Sequence, residues 1–366
     1  MIGIILAGVT ALIALAMAGG LGWRMVRRRR VAKALKITAP NAVVEERFVE
    51  IGGIEQWIQI RGENRDNPVL LVLHGGPGWP NAVFTLPLRS WERHFTVVQW
   101  DHRGAGKTLG RNGKAGSGQM TFDRRVTDAI ELIEFLRRHL KSDKVIVLAE
   151  SMGTLTGLPL AQRRPDLVHA LVLTDLYVNV VRNEARKHQL TLERLRAAGN
   201  TKGTAALEAI GGDPTGWDLR AWNTNMAWAF KTNLPIPHLD RRLLFPLALF
   251  SPIYNLRELV TLLSGFQWST SQMFEEIMAY DARTLSTRFQ IPVFVLQGES
   301  DVVTLTSLAE EYFQEVEAPI KGLTLIKDAG HFAAFTQPDQ FLGELRTRIR
   351  PVSAEVGEPS VAPNAH

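Results

Sequence analysis

The segment Lys144–Gly153, KVIVLAESMG, constrains the fold more than any other part of the chain. Val145, Ile146, Val147 and Leu148 form a short apolar run, the pattern of a strand covered on both faces. Ala149-Glu150-Ser151-Met152-Gly153 follows, and then an apolar helical pattern over Thr154–Arg163. A serine in a sharp turn between a buried strand and a helix needs small residues two before and two after it. The two elements meet too closely there for larger side chains, and the strained turn lifts the hydroxyl above the sheet. The pentapeptide departs from G-x-S-x-G only at Ala149, which stands at the first glycine. Ser151 is therefore the candidate nucleophile.

A serine nucleophile needs a base, and the base needs an acid to orient it. After a strand–turn–helix of this kind the chain order is serine, then acid, then histidine. Four histidines follow Ser151: His169, His188, His238 and His331. His331 lies in Asp328-Ala329-Gly330-His331-Phe332, after the strand-like Gly322–Lys327 and before a helix expected from Pro338. Loops at the carboxyl ends of strands are where reacting groups gather in open sheets of this type. His169 opens an apolar strand at its amino end, and His188 and His238 fall in a middle insertion, so His331 is the candidate base. The candidate acid is Asp301, in the loop Gly298–Asp301 after the strand-like Ile291–Gln297. Asp175, at the end of the preceding strand, is the runner-up, and Glu299 is a third option. Asp328 is read as a turn residue. Asp301 also suits an N-cap for the helix expected over LTSLAEEYF. The oxyanion donors expected are the N–H of Met152 and that of Gly75 or Gly76, in His74-Gly75-Gly76-Pro77-Gly78 after the strand Val69–Leu73.

These motifs together resemble the α/β-hydrolase superfamily. HGGPG at 74–78 followed by WDHRGAGKT at 100–108 is similar to the proline iminopeptidase (prolyl aminopeptidase) branch, and the resemblance runs from Val44 to Arg350. The chain departs from the branch twice, at Ala149, where it has glycine, and at His102, where it has glutamine. The resemblance implies removal of an amino-terminal residue, preferably proline, from peptides, without a cofactor. It also implies an acidic group for the substrate's cationic amine. Glu184, in Arg182-Asn183-Glu184, loosely matches the family's amine-binding glutamate. The alternative for Glu184 is a solvated residue paired with Arg186 or Lys187. Two other readings stay open: an esterase or lipase acting on membrane-derived acyl substrates, and a non-catalytic scaffold, against which the complete set of motifs speaks.

Gly104-Ala105-Gly106-Lys107-Thr108 resembles the end of a phosphate-binding loop, but the position of that motif's first glycine is Asp101, and a flexible glycine-rich loop is expected after Thr108. Asp101 and Arg103 are expected to pair. With no cysteine in 366 residues, disulfides, thiolate metal sites and cysteine nucleophiles are excluded, and no metal-ligand motif is present.

The formal charge of +5 is local. Residues 1–44 hold seven basic residues (Arg24, Arg27–Arg30, Lys33, Lys36) and no acid; removing these from the 42 leaves 35 against 37 acidic. The body therefore carries no nucleic-acid signature. Ile2–Gly22 is uncharged and would span about 30 Å as a helix, the thickness of a bilayer core. With the arginines just downstream it reads as a retained single-pass anchor, its basic flank meeting anionic lipid and the catalytic domain on the cytoplasmic side. The alternative is a signal peptide cut after Ala16-Met17-Ala18. Residues 24–44 read as a basic linker.

Strand-like stretches at Glu46–Ile51, Glu55–Arg61, Val69–Leu73, Phe95–Asp101, Lys144–Ala149, Val168–Thr174, Ile291–Gln297 and Gly322–Lys327 alternate with helical patterns. This predicts an α/β architecture with a mostly parallel eight-stranded sheet and helices on both faces. Between 176 and 288 the strand signal gives way to helical patterns with Trp217, Trp222, Trp228 and Trp268, read as a helical cap whose tryptophans form its core. The hydrolase core is thus expected in two parts, 45–175 and 289–350, with a disordered tail after Pro351.

Overall fold

The computed structural model describes residues 2–232 and 241–353. His238 and nearly all of the tail expected to be disordered lie outside the described residues. One eight-stranded sheet organises the chain: β1 (Val43–Ile51), β2 (Ile54–Gly62), β3 (Val69–Leu73), β4 (Thr96–Asp101), β5 (Val145–Glu150), β6 (Val168–Thr174), β7 (Val293–Gly298) and β8 (Lys321–Ile326). The order across it is β1-β2-β4-β3-β5-β6-β7-β8. β1 and β2 pair antiparallel, as do β2 and β4, and the strands from β4 to β8 run parallel.

Side chains alternate across a strand, and both faces here are covered, so the strands read as unbroken apolar runs. Val69, Leu71 and Leu73 of β3 and Val145, Val147 and Ala149 of β5 enter one core. There they meet α3 (Phe122–Leu140), α4 (Thr154–Arg163) and α10 (Thr306–Glu315) through Leu132, Leu158 and Tyr312. Leu70, Val72, Ile146 and Leu148 face the other way, onto Trp91, Phe341 and Ile349. That second face includes α11 (Ala333–Thr336) and α12 (Pro338–Glu344). α3 starts where Thr121 accepts a hydrogen bond from Arg124 N, an N-cap, and ends at Lys141 in the left-handed conformation.

Between β6 and β7 the described residues form only helices: α5 (Val180–Ala197), α6 (Thr201–Ile210), α7 (Leu219–Lys231), α8 (Arg241–Phe250) and α9 (Leu256–Ala279), with short turns between them. Trp217 and Trp222 are buried with Tyr177, Met273 and Ile277, and the same cluster contains Met152 of the serine turn. Trp228 and Trp268 are half-buried.

Three expectations are corrected. The stretch after Thr108 is not an open loop: α2 spans Gly106–Asn112. Asp101 and Arg103 do not pair. Asp101 accepts from Tyr254 Oη at 2.7 Å and from Lys107 N, whereas Arg103 turns to Asp128 of α3 at 2.9 Å. Asp101 ends β4 whereas Arg103 lies in the turn after it, so the strand's two-residue period no longer sets its direction. The basic stretch is not a plain linker either: α1 runs unbroken from Ile2 to Ala34. Arg24 and Arg28 donate to the carbonyls of Leu249, Ser251, Pro252 and Tyr254, capping the carboxyl end of α8. Arg29, Arg30, Lys33 and Lys36 are exposed. Among the described residues no helix is long and apolar enough to cross a membrane. Most side chains from residue 2 to 14 fall outside the described set, so the span expected over Ile2–Gly22 lies largely outside it too.

The alanine at 149 has a structural counterpart. A Cβ placed at Gly157 of α4 would lie 2.6 Å from the Ala149 Cβ, so the space that a glycine at 149 would leave is supplied instead by the helix. Gly157→Ala should therefore destabilise the protein by about 1–3 kcal/mol through overpacking. The same change in an Ala149→Gly background should cost much less. Denaturant unfolding of the four proteins measures this coupling, and additive effects would refute it.

Candidate active site

Four consecutive parallel strands end at one edge of the sheet, and each delivers one ionisable or nucleophilic group: Ser151 after β5, Asp175 after β6, Asp301 after β7 and His331 in the loop after β8. Ser151 has φ +51, a conformation rare for a residue with a Cβ. Its neighbours explain why the turn closes: a Cβ at Gly153 would sit 2.0 Å from the Leu73 carbonyl oxygen, and one at Gly75 would sit 2.8 Å from the Ser151 Cβ. Only glycine at both positions lets β3, the glycine loop and the serine turn approach this closely. The Met152 N–H opens the turn Ser151–Gly153 that leads into α4, where amides point away from the helix body. Gly76, at φ +54, completes the loop and lies under Phe266 of α9.

His331 Nδ1 lies 2.9 Å from Asp301 Oδ2. The carboxylate only accepts, so Nδ1 carries the proton and Nε2 is left as the base. Asp301 is itself held by four further groups: Val303 N, Thr304 N, Thr304 Oγ1 and Gln297 Nε2 all donate to it. Burial pulls the imidazole pKa down, but the Asp301 and Asp175 charges, with Glu150 behind them, outweigh burial and raise it to about 9. Asp175 stands 3.9 Å from His331 Nδ1 on a second side. Burial pushes its carboxyl well up, Asp301 and Glu150 add to that, and His331 opposes it. Glu150, Asp175 and His331 therefore titrate together. Ligand atoms of Asp175, Asp301 and His331 lie within 4.8 Å of one another, close enough to hold a metal ion. An ion there would take the Nδ1 lone pair, which is protonated when it donates to Asp301, so the two uses exclude each other.

The site has a buried supporting layer. Asn81 donates to Glu150 at 2.6 Å, linking the residue before Ser151 to the segment after the glycine loop. Burial raises Glu150 to about 7, against the opposing effects of Asn81 and His331. Arg125 donates to the Pro77 carbonyl and so holds the glycine loop from below. His74 and His102 stack at 3.6 Å, and burial drives His74 to about 3 and His102 well below its ordinary value. His102, where the branch has glutamine, is thus uncharged and stacked on His74 at the start of the glycine loop.

Glu184 is fully buried in α5, pairs with Lys187 Nζ and accepts from Asn225 at 3.1 Å. It is neither solvated nor free. The residue before it, Asn183, accepts from Leu305 N and donates to the Val303 carbonyl, binding the cap to the acid loop. Glu299 accepts from Asp328 N and stays out of the relay. His169 is half-buried at the amino end of β6, and His188 packs against Trp217. Asn183, Thr304, Asn81 and Arg125 were not singled out from sequence. The partners of Asn183, Asn81 and Arg125 are far away along the chain, and Thr304, three residues from Asp301, is marked by no motif.

The chain matches the family described as α/β hydrolase fold over residues 68–338. It is 27% identical over 319 residues to a probable aminopeptidase of Bacillus subtilis (strain 168), covering 84% of this chain and 96% of that protein. Its fold is similar to a proline iminopeptidase-related protein of Thermus thermophilus, with TM-score 0.60, 21% identity and coverage of 85% of this chain and 99% of that one. It is also similar to a bacterial membrane phospholipase A, with TM-score 0.61, 15% identity and coverage of 95% and 98%.

Ser151→Ala and His331→Ala are each expected to lower kcat by about 10⁴ to 10⁶, and together by no more than one alone, because relay members act as a unit. A base must be neutral to accept a proton, and His331 is held on the basic side of its ordinary 6.5. In the wild type kcat/KM should therefore rise with pH through a midpoint above 6.5. A pH–rate profile with a midpoint at or below that value would contradict the geometry.

Proposed function

This chain belongs to the α/β-hydrolase family, with its likeness on the proline iminopeptidase side, and from that premise we propose that it is a serine hydrolase working through an acyl-enzyme, chiefly as an aminopeptidase that releases an amino-terminal residue such as proline. The observation that carries the reading is the 2.9 Å contact of His331 Nδ1 with Asp301 beside a serine held at φ +51. Ser151 Oγ attacks the substrate carbonyl as His331 Nε2 takes its proton. Asp301 holds the tautomer and stabilises the imidazolium that forms. The N–H groups of Met152 and of Gly75 or Gly76 receive the oxyanion. The imidazolium passes its proton to the leaving amine, and water then releases the acyl group by the same steps. No cofactor enters any step. The aminopeptidase assignment rests on the Bacillus relative and on the motifs shared with the branch.

One observation favours a second reading, hydrolysis of carboxylic esters. Glu184 is the candidate for the substrate's amine, and Lys187 already neutralises it. A substrate ammonium would compete with Lys187 for that carboxylate, whereas a neutral acyl substrate would not. Hydrolysis of prolyl amide, its N-acetylated form and a short acyl ester, measured side by side, decides between them. The aminopeptidase reading expects the free amine to be preferred over the blocked one by at least about tenfold in kcat/KM, about 1.4 kcal/mol. Equal rates, or preference for the blocked amide and the ester, would assign the chain to the second reading.

We place the protein at a membrane, with Ile2–Gly22 as a single-pass anchor and the catalytic body on the cytoplasmic side, on the charge pattern described above. Full-length protein should then sediment with membranes and resist high-salt and alkaline extraction. Recovery of a soluble product cut after Ala18 would show a removed signal peptide instead.

A further inference from the structure

Asp301 and Asp175 are both buried carboxylates at adjacent strand ends, and they flank the same imidazole. Their surroundings differ. Asp301 has each oxygen engaged, by two backbone amides on Oδ1 and by Gln297, Thr304 and His331 on Oδ2. Asp175 uses one oxygen only: Oδ2 accepts the Phe332 N–H at 3.1 Å, the amide next to the histidine. Its Oδ1 is buried without a hydrogen-bond partner and is the atom that stands 3.9 Å from His331 Nδ1. A buried carboxylate oxygen lacking a donor is unfavourable and calls for an account. The backbone adds to the case. Asp175 has φ +50 and Phe332 has φ +66, so two non-glycine residues hold unusual conformations at the contact that aims this carboxylate at the histidine loop.

We propose that Asp175 is a second acidic partner of His331: a positioning residue that fixes the histidine loop through the Phe332 N–H and accepts the Nδ1 proton's hydrogen bond when the ring turns away from Asp301. The inference rests on the serine-hydrolase reading. In that reaction Nε2 serves two atoms in turn, the serine oxygen and the leaving group. A ring that shifts between them changes the direction of its Nδ1–H. Asp301 is pinned by its other four donors and cannot follow the ring, whereas Asp175 offers a vacant acceptor on the neighbouring strand. The charged or titratable groups that bear on His331 are Asp301, Asp175 and Glu150. Those that bear on Asp175 are His331, Asp301 and Glu150.

The test uses full-length wild type, Asp301→Asn, Asp175→Asn and the double variant, assayed on a short acyl p-nitrophenyl ester, with Ser151→Ala as the reference for loss of the mechanism. A triad with a single acid loses about 10⁴ in kcat on the aspartate-to-asparagine change. With a reserve acceptor present, Asp301→Asn should lose only about 10², and the double variant about 10² more. Asp175→Asn alone should change kcat by less than about tenfold, since asparagine still accepts from Phe332 N. It should nevertheless move the acidic limb of kcat/KM to lower pH, because the imidazolium loses a neighbouring anion. A role confined to tethering the loop would instead leave Asp301→Asn and the double variant equally inactive, since asparagine keeps the Phe332 contact. Asp301→Asn as inactive as the double variant, or an unmoved limb in Asp175→Asn, overturns the proposal. Should Asp175→Asn fail to fold, the low-field Nδ1–H proton resonance of Asp301→Asn decides: a resonance as far downfield as in the wild type supports Asp175 as acceptor, and its loss refutes it. Activity surviving in Ser151→Ala would instead remove the serine-hydrolase reading itself.

Discussion

The close approach of β3, β5 and α4 is the constraint on which the rest depends. At Gly153 a single added carbon would lie 2.0 Å from the Leu73 carbonyl oxygen. That contact holds the helix against the strand ends and leaves Ser151 a left-handed backbone, because no regular conformation makes so abrupt a turn from strand to helix. The same closeness brings the glycine loop after β3 against the serine, so Ser151 and the Gly75 and Gly76 backbone are placed by one packing decision. Another close contact secures the opposite half of the site. A Cβ at Gly298 would meet the Gly330 carbonyl oxygen at 2.2 Å, locking the acid loop to the histidine loop.

Electrostatics follow from where those loops meet. Glu150, Asp175 and Asp301, each buried, converge on one imidazole. Isolated, each would be expensive to bury as an anion. Their shared partner is the histidine, which becomes more basic as a result. Asp101, beneath the cap, shows the same physics without a cation in contact: burial raises it to about 7, and Tyr254 and Lys107 N donate to it. The two stacked imidazoles His74 and His102 are the complementary case, kept neutral by burial so that the loop above them carries no competing charge.

The cap is fastened to the machinery at several points. Asn183 grips the acid loop, Trp217 and Trp222 pack in the cluster that includes Met152, and Tyr254 holds Asp101. The α8 end that precedes Tyr254 is in turn capped by Arg24 and Arg28 of α1. Hydrogen bonds through Tyr254 thus join the amino-terminal helix to Asp101 at the end of β4. Two of the arginines of the basic cluster are occupied by protein carbonyls, and the exposed remainder is what is left to meet other surfaces.

The sequence by itself determined the sheet and the order in which the candidate site residues follow its strands. Short apolar runs such as Val145–Leu148, bounded by turn residues and recurring along the chain, read as strands covered on both faces, and small residues around Ser151 between such a run and a helical pattern read as a tight turn. Local pattern also found the loops of Asp301 and His331, because each follows such a run. Tertiary structure alone decided the partners. Arg103 chose Asp128 over Asp101, and the Glu184–Lys187 pair, local to α5, was buried rather than left in solvent. Asp175 came to face the same imidazole as Asp301. Spacing along a chain fixes which face a side chain takes. It does not fix which distant element is brought against that face, and buried charges take their meaning from that neighbour.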